Sequence, residues 1–439
     1  MADQLTWSLT NFALSITIAR SVSVEEFGEF TLVYWTYLLL LNLGRAFGSH
    51  PLWVVASHVG GERWRNALAD SVGFVLVISV VIGLGLIGVG LALGGPVLAF
   101  SALGLGLPGL LVHDSYRFGM IADGRARLSF GSDLTWAIVM GILLGVFVFG
   151  GASGGVPVLI LIWAAGAYAG ALYAMWACGV LPSPRRARAW LRDNARLIPG
   201  FSVAGLSEPV AQTAIQFILA ATVGLAAVGA IRAGQLLMSP ITVAFQGVFA
   251  VLGPEASKLL REQRSSFARR MAAIAALLAS LSLAYGLVAL LLPGSIGQSL
   301  LGDSWDHARD VLPFLIVVVA ANGAASAASL GLLVGGAANT LAKLAVTTYS
   351  LMVLCAVVGG VVAGTTGAAA GLALAYIVLF IANWTVFLRA DRRPGGLVAV
   401  EAGGSPLLGA VDDPGASAST PGSGGLSVPS RPASGDDTD

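Results

Sequence analysis

Apolar residues in this chain come in runs of about 20, the length a helix needs to cross a hydrocarbon core. They do not follow the 3.6-residue spacing of a helix with one wet face. The runs predict helices over 3–20, 30–55, 70–93, 97–119, 131–150 and 156–180, and then over 199–222, 229–251, 270–292, 311–334, 343–363 and 367–388. Several joints carry the residues that break a helix: Gly94-Gly95-Pro96, Gly154-Gly155-Val156-Pro157, Pro293-Gly294 and Gly364-Thr365-Thr366-Gly367. At such joints the chain must turn back. The pattern predicts an all-α polytopic membrane protein, with about 12 transmembrane helices in two pseudo-symmetric six-helix bundles.

Composition agrees. Of 439 residues 56% are apolar and 11% charged, with a mean hydropathy of +0.84, and soluble domains carry about twice that charge. The net charge of +1, with the basic residues dispersed, argues against nucleic acid as a partner and leaves membrane lipid as the surroundings. Cys178 and Cys355 lie in separate apolar runs and suggest neither a disulfide nor a metal site. No catalytic group, metal or cofactor is expected. Met1-Ala-Asp-Gln4 leads straight into the first run without a basic region or cleavage site, so no cleaved signal peptide is expected.

Most of the 24 Lys and Arg residues fall in alternate joints: Arg63 and Arg65, then Arg117, Arg125 and Arg127, then Arg185 to Arg196, then Lys258 to Arg270, then Lys343, then Arg389 to Arg393. Cytoplasmic loops retain such residues. The expected location is a bacterial cytoplasmic (inner) membrane with both termini in the cytoplasm. The longest basic joint divides the chain into an N-terminal six-helix half (1–180), a cytoplasmic linker (181–198), a C-terminal six-helix half (199–388) and a Pro-, Gly-, Ser- and Asp-rich tail (389–439) expected to be disordered. Superimposing the halves with Phe27-Gly28 on Val228-Gly229 also places Asn11 on Gln212 and Arg45 on Gln246. Parallel repeats of this kind are a transporter architecture.

Glycine, at 57 residues, recurs at four-residue spacing as Gly90/Gly94, Gly141/Gly145, Gly166/Gly170, Gly331/Gly335, Gly360/Gly364 and Gly367/Gly371, a spacing that lets helices approach closely in lipid. Two Gly-x-Gly-x-x-Gly runs, Gly83–Gly88 and Gly104–Gly109, lie inside apolar helices and lack the strand that gives a dinucleotide fingerprint meaning.

Ionisable residues inside the bilayer are functional candidates by default. Arg45 is deepest in its run and reads either as a cation facing a cavity or as one partner of an ion pair with Asp114 or Glu208. Asp114 and Arg117, three apart, share a helix face, and Arg117 alone reads as snorkelling to the surface. Glu208 reads as a coupling carboxylate or as an acid favoured by a helix start, and Gln212 and Gln216 extend its face. Asp70 and Asp133 read as interfacial. Asp303, Asp306 and His307 read as a solvated loop with an interfacial Trp305, or as a catalytic or metal cluster.

Three segments resemble polysaccharide transport proteins, the lipid-linked oligosaccharide flippases of the MOP (MATE-like exporter) superfamily. They are Asn11–Phe30 with its Phe-Gly loop, His113–Arg127, and Gly229–Pro240 followed by Pro254. The resemblance implies that a lipid-linked (polyprenyl-phosphate) oligosaccharide or polysaccharide precursor passes from inner to outer leaflet by alternating access. It implies glycan polymerases or glycosyltransferases as partners, and it carries Arg45, Asp114, Arg117 and Arg232 as matching positions. The short N-terminus and long polar tail depart from many relatives. The alternatives are a small-solute or drug/cation antiporter, with Glu208 coupling, and, in another class, an integral-membrane glycan-assembly enzyme or scaffold.

Overall fold

The computed structural model describes residues 14–56, 61–150 and 154–392, together with Phe12 and Leu397. The first four residues of the chain, Asn11 and nearly all of the polar tail lie outside these.

Every regular element among the described residues is helical. A first helix, α1, covers 14–21, and α2 runs Val24–Gly44. The N-cap of α2 is a reciprocal pair: Ser23 accepts from the Glu26 amide while Glu26 accepts from the Ser23 amide, which satisfies two otherwise orphaned donors. The helix then widens into a π turn, Arg45–Ser49, and resumes as α3, His50–Ala56. Next come α4 (Glu62–Leu93), α5 (Leu98–Ala122), α6 (Ala126–Phe149) and α7 (Gly155–Cys178). A short helix, α8 (Ala187–Asp193), interrupts the basic joint. It precedes α9 (Ile198–Thr222), α10 (Leu225–Glu262), α11 (Arg264–Leu290), α12 (Gly294–Leu301), α13 (Ser304–Val334) and α14 (Ala338–Asp391).

Eight helices among the described residues are long and apolar enough to cross a membrane. Their outer faces carry bare apolar side chains: Val81 and Leu84 on α4, Ile142 and Val146 on α6, and Leu287 and Val288 on α11 are all more than half exposed. Contiguous apolar surface on that scale needs lipid to cover it.

The last of the eight, α14, is not one rod. Ala363 and Gly364 leave helical geometry, Gly364 with φ +61°. A Cβ on Gly371 would overlap the carbonyl of Cys355, and one on Gly367 the carbonyl of Gly359. In a straight helix Cys355 and Gly371 would stand about 24 Å apart. The chain therefore reverses at Gly364, and its two arms pack through glycine. Two of the other marked joints also turn through positive φ, at Gly94 and Gly95 and at Gly155.

Helices α4, α5, α6 and α7 pack on one another, as do α9, α10, α11, α13 and α14, and α2 packs against α5, α9 and α10. Glycine permits several of these contacts: a Cβ added to Gly170 would stand 2.7 Å from the His113 ring, and one added to Gly286 2.5 Å from Ile316. Gly141 and Gly145 have nothing within 4 Å of an added Cβ, so their spacing does not serve packing here.

Two readings of the sequence are corrected. Asp133 is 1% exposed, not interfacial. It begins an apolar run, but α6 starts seven residues earlier at Ala126, which carries Asp133 inward. Trp305 is also 1% exposed, because Ser304–Asp310 is helical and turns the indole onto Gly297. Asp306 and His307 stay on the exposed side.

Candidate functional site

Polar groups inside the helices gather in two places. The first lies where α5 meets the π turn and α6. Arg45 stands at the first position of the π turn, and its guanidinium grips Asp114 of α5 at both oxygens, Nε–Oδ2 2.8 Å and Nη2–Oδ1 2.7 Å. Its Cζ lies 5.0 Å from the Phe118 ring centroid. Of the two acids the sequence offered, Asp114 is the partner. One turn along, Arg117 Nε donates to Asp133 Oδ2 at 3.0 Å, and His113 Nε2 lies 3.5 Å from Asp133 Oδ1. Arg117 is thus a buried ion-pair partner, 5% exposed, and not a snorkelling side chain. Ser49 and Ser115 hydroxyls add a contact of 3.4 Å.

Two arginines and two aspartates therefore neutralise one another in apolar surroundings. Fork-to-fork pairing of this kind is the geometry in which arginine is best held. Such a cluster fixes α2, α5 and α6 together, and it leaves neither arginine with unspent charge for an anion.

The second place is on α9. Glu208 sits midway along it, and Tyr349 of the first arm of α14 donates its hydroxyl to Glu208 Oε2 at 3.3 Å. Tyr376, on the second arm, faces both Glu208 and Gln212. Among the described residues no Lys or Arg is paired with Glu208. It is exposed, whereas Gln212 and Gln216, one and two turns further along, are 8% and 1% exposed. The result is a carboxylate with the Tyr349 and Tyr376 hydroxyls and the Gln212 amide near it, groups of a kind that suit a proton or a hard cation. Gln216 Oε1 has no hydrogen-bond partner.

Arg232 stands apart from both. It lies on α10 with Cζ 4.6 Å from the Tyr34 ring centroid of α2, and its Nε has no hydrogen-bond partner. Among the described residues it has no carboxylate partner either. Tyr34, Tyr349 and Tyr376 were not singled out in the sequence, and nothing in their spacing marks them, because their roles arise from helices far apart in the chain. No group of three His, Cys, Asp or Glu side chains among the described residues is placed to hold a metal.

No protein-family model and no curated protein sequence matches the chain. Solved structures do match its fold. A multidrug resistance MATE family transporter of the MOP superfamily, inward-facing, superposes with a TM-score of 0.60 at 16% identity, over 88% of this chain and 94% of that one. An outward-facing structure of such a transporter gives 0.54 at 14% identity, over 89% and 93%. The lipid II flippase MurJ, inward closed, gives 0.64 at 11% identity, over 89% of each. In fold, this helical chain is similar to solved transporters of the MOP superfamily.

Proposed function

We propose that the protein is a membrane transporter in which two six-helix halves alternate access to a central path, and that it exchanges a small solute, most simply an organic cation, for a proton or metal cation. Counting α1, the run α2–α3, and both arms of α14 gives twelve spans. The α2–α3 run and α9 are less apolar than the other spans, which suits helices that face protein and a wet path instead of lipid. The basic joints lie in the cytoplasm of a bacterial cell, with the inner membrane as the location.

One observation carries the choice of solute. Glu208 has no cationic partner among the described residues, while Arg45 and Arg117 are already neutralised by Asp114 and Asp133. The cations that an anionic headgroup would need are largely spent. MATE transporters among the matching structures support the same reading. The test is uptake of a fluorescent cationic dye by proteoliposomes under an imposed proton or sodium gradient. Uptake that follows the gradient and stops when it is collapsed supports the reading. Absence of uptake under both gradients, from protein that is folded, overturns it.

A second reading, flipping of a lipid-linked glycan, rests on Arg232, whose guanidinium has no carboxylate, and on the likeness to a lipid II flippase. Glycan polymerases or glycosyltransferases would then be its partners. Depleting the protein would leave one polyprenyl-linked glycan accumulating on the cytoplasmic face, unreachable from outside.

A further inference from the structure

At one end helices α2 and α10 approach to backbone contact, with Leu32 packed among Val228 and Ile231 beside it. A Cβ on Gly28 would overlap the carbonyl oxygen of Leu225, and a Cβ on Gly229 would overlap the carbonyl oxygen of Val24. The superposition that places Gly28 on Gly229 also places Val24 on Leu225. Each glycine therefore receives the backbone of the residue equivalent to the one its own helix offers. This is a self-complementary contact of the kind a two-fold axis produces, made here within one chain. Gly302 adds to the closure at this end, with Arg20 O at 3.2 Å from an added Cβ.

Burial changes along the same helices. On α10, Val228, Ile231, Ala233, Leu236 and Met238 are all buried, whereas Pro240, Gln246, Gly247 and Val248 are exposed. On α9, Ile215, Gln216 and Leu219 are buried, whereas Pro199, Gly200, Val203 and Glu208 are exposed. Along the junction of α2 with α9 and α10 burial is thus greater toward the glycine end than toward the end bearing the basic joints.

We infer that Gly28 and Gly229 form a reciprocal latch that closes the outer end of the transport path and parts when the path opens outward. This rests on the alternating-access reading above. A helix pair held by interdigitated side chains would have to repack many rotamers to separate. Two bare backbone notches seat and part as rigid surfaces, and only glycine leaves the notch empty.

The test places a single reporter cysteine at Leu32→Cys, one turn from the latch and buried, in a background carrying Cys178→Ala and Cys355→Ala. A membrane-impermeant maleimide is added from the outer side of right-side-out vesicles. Gly28→Leu and Gly229→Leu should each raise the labelling rate at least about tenfold, the change expected if closure is disfavoured by ~1.4 kcal/mol. Gly141→Leu, where an added side chain meets open space, should leave it unchanged. Gly28→Ala and Gly229→Ala serve as milder variants. Unchanged labelling in both leucine variants at normal levels of folded protein overturns the latch. So does failure of both alanine variants to fold, which would mark a permanent packing contact. Dye uptake by the parent protein separates the two ideas: labelling that rises where no transport is found keeps the latch and removes the transporter reading, and transport with unmoved labelling does the reverse.

Discussion

Arg45 and Asp114 join through two parallel hydrogen bonds of 2.8 and 2.7 Å, with the side chains 20% and 7% exposed. Removing one partner strands the other charge in an apolar setting, at a cost of about 3–5 kcal/mol. Arg45→Ala should therefore lower the thermal unfolding temperature of the detergent-solubilised protein. Arg45→Ala with Asp114→Ala should recover much of the loss. A double variant no more stable than the single one would show that the pair is not the source of the effect.

Glu208 is expected to act on coupling and not on folding. It is exposed, and its hydrogen bond to Tyr349 is long at 3.3 Å. Glu208→Gln should leave thermal stability near that of the parent while reducing gradient-driven dye uptake about 5–150-fold, the usual span of coupling between two sites. Dye-for-dye exchange without a gradient should persist. Tyr349→Phe should give a smaller loss of the same kind.

Trp190 anchors the basic joint. It is 5% exposed, and its Nε1 donates to Phe47 O in the π turn at 3.0 Å. Trp190→Ala should cost about 3–5 kcal/mol if the site does not collapse. Limited proteolysis would report this as faster cleavage between Ala187 and Ile198. Resistance equal to that of the parent would count against the anchor.

The reversal in α14 gives a contrasting pair of glycine substitutions. Gly371→Leu must push against the Cys355 carbonyl and should destabilise by about 1–3 kcal/mol or more, whereas Gly145→Leu meets nothing within 4 Å and should be near neutral. Chromatographic monodispersity after heating distinguishes them.

How much of this was legible beforehand follows from where each residue's partners lie. The turn at Gly364 was marked in the sequence, because a helix breaker between two apolar runs acts locally. The Gly28 and Gly229 equivalence was marked too, since a repeat is a property of sequence. The Leu225 and Val24 carbonyls that fill those notches were not, because backbone contact between distant helices leaves no trace in side-chain pattern. Asp133 misled for a related reason. Hydropathy locates it at the edge of an apolar run, yet Arg117 and His113, which make its burial tolerable, lie on another helix. The polar character of α9, through Gln212, Thr213 and Gln216, marks it as facing protein. Thr213 accordingly donates to the Trp35 carbonyl of α2 at 3.1 Å.

The π turn at Arg45–Ser49 also bears on how this chain tolerates change in length. A π turn amounts to one residue more than an α-helix would use over the same rise, and each residue rotates the helix by about 100°. Ahead of the turn α2 directs Tyr34 and Tyr37 inward; beyond it Pro51 and Leu52 are buried as well. Both sides keep their inward register only while the extra residue is held between them. Deleting one residue within Arg45–Ser49 would straighten the rod and turn either Arg45 or everything after it away from α5. The most length-sensitive stretch of this helix is therefore its least regular one.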